Sequence, residues 1–182
     1  MVLETERLVL REMMEDDFVS LYAIFSDEET MKYYPHPFSP SKVHDWIAWN
    51  QENYKVFGFG LFAVVLKENG LVIGDTGITM QVIHGKIKPE IGYHIQRTYQ
   101  NKGYASEGAR KCRDFMFEKT PCNSIYSYMN HTNIASARVA QNVGMRLVDA
   151  YEDSANTPTS VYAISREEWS LSQVAQEQHR EV

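Results

Sequence analysis

The sequence predicts one α/β domain spanning residues 1–182, and three observations carry that prediction. Stretches with a two-residue hydrophobic period alternate with stretches whose apolar residues recur every three or four positions. Turns bearing glycine or proline separate them. No repeat, linker or low-complexity tract interrupts the series, and 43% hydrophobic with 23% charged residues suits one globular core.

Taken in order, Arg7 to Arg11 alternates and is a first strand. Glu15 to Ser26 sets Phe18, Leu21, Tyr22 and Phe25 on one helical face, and Asp27 to Tyr34 is read as a short second helix ended at Pro35. Ser39-Pro40 is an N-cap followed by proline at the first helical position, opening a helix with Val43, Trp46, Ile47 and Tyr54 on one side. Gly58 and Gly60 end this helical half. Leu61 to Lys67 and Leu71 to Val82 are strands, with Asn69-Gly70 between them as a type I′ hairpin signal. His84-Gly85-Lys86 turns the chain into a strand from about Lys88 to Gln96. A long helix follows, with Ala105, Ala109, Cys112, Phe115 and Met116 on its apolar stripe. Ser124 to Met129 is a strand and Asn133 to Asn142 a helix, with Gly144 where a C′ glycine belongs. Strands near Met145 to Tyr151 and Ser160 to Ile164 precede a helical tail from Arg166.

Composition narrows the function. The longest apolar run, Gly60 to Leu66, is too short to cross a bilayer. The first residues, Met-Val-Leu-Glu-Thr-Glu-Arg, lack the apolar core of a signal peptide, so a cytoplasmic location is expected, with no membrane partner. Two cysteines, Cys112 and Cys122, make neither a disulfide framework nor a metal-ligand pattern, and no metal is expected. A net charge of −6 argues against nucleic-acid binding and tolerates a cationic substrate.

The most informative stretch is Gln100-Asn101-Lys102-Gly103-Tyr104-Ala105, between the strand and the long helix. A strand-to-helix turn leaves several backbone N–H groups aimed at one spot, and the helix dipole adds positive potential there. Gly103 lets the backbone approach a bulky phosphate, and Lys102 adds charge at the rim. A P-loop would need Gly-x-x-x-x-Gly-Lys-Ser/Thr, which is absent, and a dinucleotide fold needs its glycines early in a βαβ unit.

The segment Glu90-Ile-Gly-Tyr-His-Ile-Gln-Arg-Thr-Tyr-Gln-Asn-Lys-Gly-Tyr-Ala-Ser resembles motif A of the GNAT superfamily of N-acetyltransferases, with Gln100, Gly103 and Ala105 in its three fixed places. Asn133-Ile-Ala-Ser136-Ala-Arg-Val-Ala-Gln-Asn-Val-Gly144-Met145 resembles motif B. The opening Glu4-Thr-Glu-Arg7-Leu8-Val-Leu10-Arg11 and the closing Val161 to Trp169 resemble the ribosomal-protein serine/alanine N-acetyltransferase branch. The resemblance covers nearly the whole chain in the right order. It implies an α+β arrangement: a single GNAT-type domain with a mixed, mostly antiparallel central sheet flanked by helices.

It further implies acetyl-CoA as donor and a primary amine as acceptor, attacked directly without an acyl-enzyme. By family position, backbone groups of Tyr93, His94 and Ile95 pair with the pantetheine arm, and an N–H near Ile95 meets the developing oxyanion. Amides from Asn101, Lys102, Gly103, Tyr104, Ala105 and Ser106 hold the pyrophosphate. Asn133 matches the asparagine that contacts the arm, and an ordinary N-cap is its plain reading. The tyrosine that protonates the thiolate in many relatives falls at Ala140, so that acid is missing. Ser136 stands where the Rim-type branch has a serine and is the candidate donor to the sulfur, beside the plain reading of a hydroxyl near a helix start.

Glu90 is the candidate general base, acting directly or through water, and equally a solvated strand residue. On a strand it shares a face with Gly92, His94 and Gln96. His84 reads as a surface histidine. The acceptor pocket is expected in the first helical half, among Tyr33, Tyr34, His36, Phe38, Trp46 and Trp49. Trp46 at helical spacing reads as core, while Tyr33 and Tyr34 stay open between packing and acceptor contact. A protein N-terminal α-amine and a small-molecule amine both remain possible acceptors, and a monomer and a homodimer both fit. The rival readings are a non-catalytic acyl-CoA-binding regulatory domain and a nucleotide-binding module with another phosphate ligand.

Overall fold

The computed structural model describes the backbone of residues 1–180 and the side chains of residues 1–175. In chain order its elements are strands β1 (Val2–Glu4) and β2 (Leu8–Arg11), helices α1 (Phe18–Phe25) and α2 (Pro40–Phe57), and strands β3 (Leu61–Leu66), β4 (Val72–Ile83) and β5 (Lys86–Ile95). Helix α3 (Tyr104–Lys119), strand β6 (Ser124–Asn130), helix α4 (Ile134–Asn142), strands β7 (Arg146–Glu152) and β8 (Pro158–Ser165), and helix α5 (Arg166–Arg180) complete the chain. The eight strands pair in the order β1-β2-β3-β4-β5-β6-β8-β7. The pairing is mixed and mostly antiparallel, with β5 and β6 parallel. Contacts gather the chain into two compact units, residues 1–79 with 91–112 and residues 80–90 with 113–182.

In the first unit the sheet is an antiparallel run, Val2 opposite Arg11, Leu8 opposite Leu66 and Leu61 opposite Gly77. Alternation in β2 turns Leu8 and Leu10 inward, and both are fully buried. The apolar stripes of α1 and α2 close one core, in which Leu21, Ile24, Phe25, Val43 and Ile47 pack with Leu61 and Ala63. Helix α2 starts and stops where its sequence says. Ser39 Oγ accepts from the Lys42 N–H at 3.2 Å with Pro40 next in the chain, and Gly58 takes a left-handed φ of +74° at the other end.

The second unit pairs β5 with β6 through Glu90 and Tyr126, β6 with β8 from Ser124–Ser165 to Asn130–Thr159, and β8 with β7. Ile125, Met129, Val143, Val161 and Ile164 are buried in it. Arg166 ties the end of α3, donating to the carbonyls of Phe117 (2.6 Å), Thr120 (2.5 Å) and Cys122 (3.0 Å), where a cation suits the helix pole. Among the described residues no helix is long and apolar enough to cross a membrane.

Three local expectations change. Residues 2–4 add a strand that three residues of weak alternation did not announce. Residues 27–34 form turns rather than a helix. Asp27 Oδ2 accepts from both the N–H (2.9 Å) and the hydroxyl (2.6 Å) of Thr30, and this Asx geometry competes with helix in a segment too short to nucleate before Pro35. The type I′ turn sits at the other hairpin. His84 and Gly85 both have positive φ, +49° and +72°, whereas at Asn69-Gly70 only the glycine does, so that connection is a longer loop closed by Gly70 N–H to Leu66 O at 2.8 Å.

Candidate active site

The turn that leads β5 into α3 is built on two left-handed residues, Asn101 (φ +59°) and Gly103 (φ +85°). Asparagine and glycine are the residues that enter this region at least cost. The helical ladder begins with Glu107 N–H to Gly103 O at 2.9 Å, so the amides of Tyr104 and Ala105 lie ahead of it, at the positive pole of a 16-residue helix. Gln100 Nε2 donates to Ile95 O at 2.9 Å and ties the turn to the end of the strand. Asn101, Lys102 and Gly103 are exposed, and Ser106 is partly buried.

A residue from the far end of the sequence completes this turn. Arg7 donates to Lys102 O at 3.0 Å, stacks over the Tyr104 ring at 4.4 Å, and pairs with Glu107 at 2.6 Å. Glu107 also accepts from Thr5 Oγ1 (2.5 Å) and from the Arg7 N–H (2.9 Å). Burial pushes its carboxyl up, but the hydrogen bonds from Thr5 and Arg7 outweigh burial and hold it below the ordinary value. The β1–β2 connection is thereby fastened to the start of α3, with a guanidinium beside the turn.

Strand β5 carries Tyr93, His94 and Ile95, with Gln96 N–H bonded to Ile73 O at 2.8 Å. Gly74 on β4 is required here: a Cβ on it would lie 2.0 Å from His94 O. Its neighbour Asp75 is fully buried. Asp75 Oδ1 lies 2.7 Å from His94 Nδ1, and Asp75 Oδ2 accepts from Trp46 Nε1 at 2.9 Å. His94 Nε2 in turn lies 2.6 Å from the Tyr34 hydroxyl. A carboxylate only accepts, so Nδ1 carries the hydrogen toward Asp75 and Nε2 faces Tyr34. The rings of Phe25 (5.1 Å) and Trp46 (6.1 Å) stand edge-on to His94.

In the second unit Asn133 caps α4, its Oδ1 accepting from the Ser136 N–H at 3.1 Å. That bond brings the two motif B residues together. Ala140 is fully buried. Glu90 is partly buried opposite Tyr126, and its charge adds to the burial that pushes the Tyr128 phenol up to about 12. His84 is exposed and bonds Asp149 at 2.8 Å. Among the described residues no group of three or more His, Cys, Asp or Glu side chains is placed to hold a metal.

Sequence reasoning missed Asp75 and assigned His94 only a backbone part. The signal for Asp75 is that it is the one charged residue between Leu71 and Ile83, because a buried charge demands partners. Its partners Trp46 and His94, and Tyr34 beyond His94, come from three segments and carry no common spacing. Trp46 packs against the core as expected, and its indole N–H has the further task of holding Asp75.

The profile of the acetyltransferase (GNAT) domain matches residues 7–146. The chain is 34% identical over 161 residues to the uncharacterized protein YkkB of Bacillus subtilis, covering 88% of this chain and 93% of that one. It is 30% identical over 175 residues to the uncharacterized N-acetyltransferase YnaD of the same organism, covering 93% and 99%. A GNAT-family acetyltransferase structure from Bacillus anthracis superposes with a TM-score of 0.78 at 26% identity, covering 92% and 99%. RimL, a ribosomal L7/L12 α-N-protein acetyltransferase solved with coenzyme A, shares the fold, with a TM-score of 0.76 at 14% identity over 91% and 98% of the chains. Motif, fold and relatives agree, and the chain belongs to the GNAT family of acetyl-CoA-dependent N-acetyltransferases.

Proposed function

We propose that the protein moves the acetyl group of acetyl-CoA onto a primary amine, a protein N-terminal α-amine or a small-molecule amine, by direct attack without an acyl-enzyme. One observation carries this reading: the Gln100–Gly103 turn, left-handed at Asn101 and Gly103, opens α3 after β5 and a single 3-10 turn (Arg97–Tyr99), with Arg7 at its side. Amides of residues 101–106 at a helix N-terminus suit a pyrophosphate, and Lys102 at the rim adds positive charge, while Arg7, paired with Glu107, holds the turn in place. The backbone of Tyr93, His94 and Ile95 suits the amides of pantetheine as an added strand. An N–H near Ile95 is the proposed donor to the thioester oxygen as its charge grows. Asn133 is proposed to contact the arm and Ser136 to give a hydrogen bond or proton to the departing sulfur. Glu90 is the sequence's candidate for taking the proton from the amine.

Calorimetric titration of coenzyme A tests the donor, and thiol release from acetyl-CoA with a panel of N-terminal peptides and small amines tests the transfer. Saturable binding with turnover on one acceptor class is the expected result. Binding without turnover on any acceptor would leave an acyl-CoA-binding regulatory domain, a reading to which the alanine at position 140 lends slight support that Ser136 mostly removes. No binding would overturn the proposal.

A further inference from the structure

We infer that Tyr34, His94 and Asp75 form the proton relay that frees the acceptor amine, an inference that rests on the acetyl transfer proposed above. A fully buried carboxylate loses its hydration and is tolerated only where donors replace the water. Asp75 has two such donors, Trp46 Nε1 at 2.9 Å and His94 Nδ1 at 2.7 Å. The fixed indole holds the carboxylate, and the carboxylate fixes the imidazole with Nε2 turned outward. Nε2 meets the Tyr34 hydroxyl at 2.6 Å. Asp75 has no exposure, the His94 side chain 12%, and Tyr34 39%, so the line runs from the core to solvent through hydrogen bonds of 2.7 and 2.6 Å. Simple packing of a strand does not require a charge at its buried end and a phenol at its open one. His94 also lies on the stretch of β5 proposed for the pantetheine arm, which sets the relay beside the reacting end of the donor.

The step balances as follows. The acceptor arrives as an ammonium and gives one proton to the Tyr34 oxygen while the Tyr34 hydroxyl proton passes to His94 Nε2. The resulting imidazolium is stabilised by Asp75, as a buried carboxylate stabilises the imidazolium of other acyl-transfer sites. The freed nitrogen lone pair forms the N–C bond to the thioester carbonyl. The C–S bond breaks with its electron pair on sulfur, the second amine proton goes to that sulfur, and the relay returns its proton to water. Tyr34 is the group that touches the acceptor; His94 and Asp75 act through it. Such a relay matters most for alkyl ammonium groups, with pKa about 10.4, and little for an amine already neutral in solution.

The test uses that difference. The probes are the best alkylamine of the acceptor panel and the hydrazide of the same skeleton, whose nitrogen is neutral at the assay pH. In Tyr34→Phe and His94→Gln the ratio of alkylamine to hydrazide turnover is expected to fall about 100-fold, within the range of general acid–base catalysis, while calorimetry shows coenzyme A still bound. Equal losses on both probes with coenzyme A bound overturn the relay and leave a packing network. A fall in the ratio for Glu90→Gln alone also overturns it, in favour of Glu90. Wild-type protein that fails to bind coenzyme A overturns the transfer reading itself, and the relay with it.

Discussion

The turn at residues 100–106 and the line from Asp75 to Tyr34 are made in opposite ways. The turn is backbone: two left-handed residues and the first amides of α3, all within seven consecutive positions, with Arg7 as a distant contribution. The line is side chain throughout: Asp75 from β4, His94 from β5, Trp46 from α2 and Tyr34 from the turns before it. The turn's geometry tolerates many neighbours but few residues at its own positions. The line tolerates little anywhere, because each hydrogen bond depends on the packing of a different element.

Substitutions separate the two. The largest effect is expected at the turn. Gly103→Asp puts a side chain where φ is +85° and a negative charge beside the proposed pyrophosphate site, so calorimetry should show coenzyme A binding weakened by at least about 1,000-fold, or about 4 kcal/mol. Binding within threefold of wild type would remove the turn from the cofactor site. Gly74→Ala strikes the line instead. Its Cβ would lie 2.0 Å from His94 O, a backbone atom that cannot swing aside, so urea unfolding should show a loss of about 3 kcal/mol. An unchanged midpoint would mean that β4 and β5 yield at His94 far more easily than their packing suggests.

Smaller effects sharpen the contrast. Ser136→Ala should lower turnover about tenfold, or about 1.4 kcal/mol, with acetyl-CoA affinity little altered. An unchanged rate would leave Ser136 as part of the capped start of α4 alone. Glu107→Gln tests the fastening of Arg7 and should cost about 1 kcal/mol at neutral pH. The Glu107 carboxyl is held below its ordinary value of 4.5, so its stabilising share is fully present above that value and is lost as pH falls through the lowered one. Unfolding of wild type and variant should therefore converge on acidification, and a gap that persists in acid would assign the cost to shape instead of charge.

Particular residues show how much was legible beforehand. The Ser39-Pro40 start and Gly58 stop of α2, the cap at Asn133 and the left-handed Gly144 were all readable, because caps and special φ values are set by adjacent residues. The type I′ turn was misplaced for a related reason. Asn-Gly and His-Gly both permit it, and the pairing of the strands on either side decides which hairpin takes it. The 27–34 segment was misread because Asp27 and Thr30 satisfy each other locally, a competition that hydrophobic spacing does not reveal. Within the candidate site, Gly103 and its flanks stood out in the sequence. His94 stood out only as a strand position, and the isolated charge of Asp75 marked a residue without naming its partners.

By itself, then, the sequence determined the family, the order of the elements from Ser39 onward and the turn proposed to seat a pyrophosphate, because each depends on residues close together in the chain. Only the tertiary structure decided that Arg7 stands beside that turn and that Trp46, Asp75, His94 and Tyr34 join in one hydrogen-bonded line. Trp46 and Asp75 are 29 positions apart, and Tyr34 and His94 are 60. Contacts over such separations are fixed by which strand lies beside which and by what each helix buries, and local spacing carries no record of either.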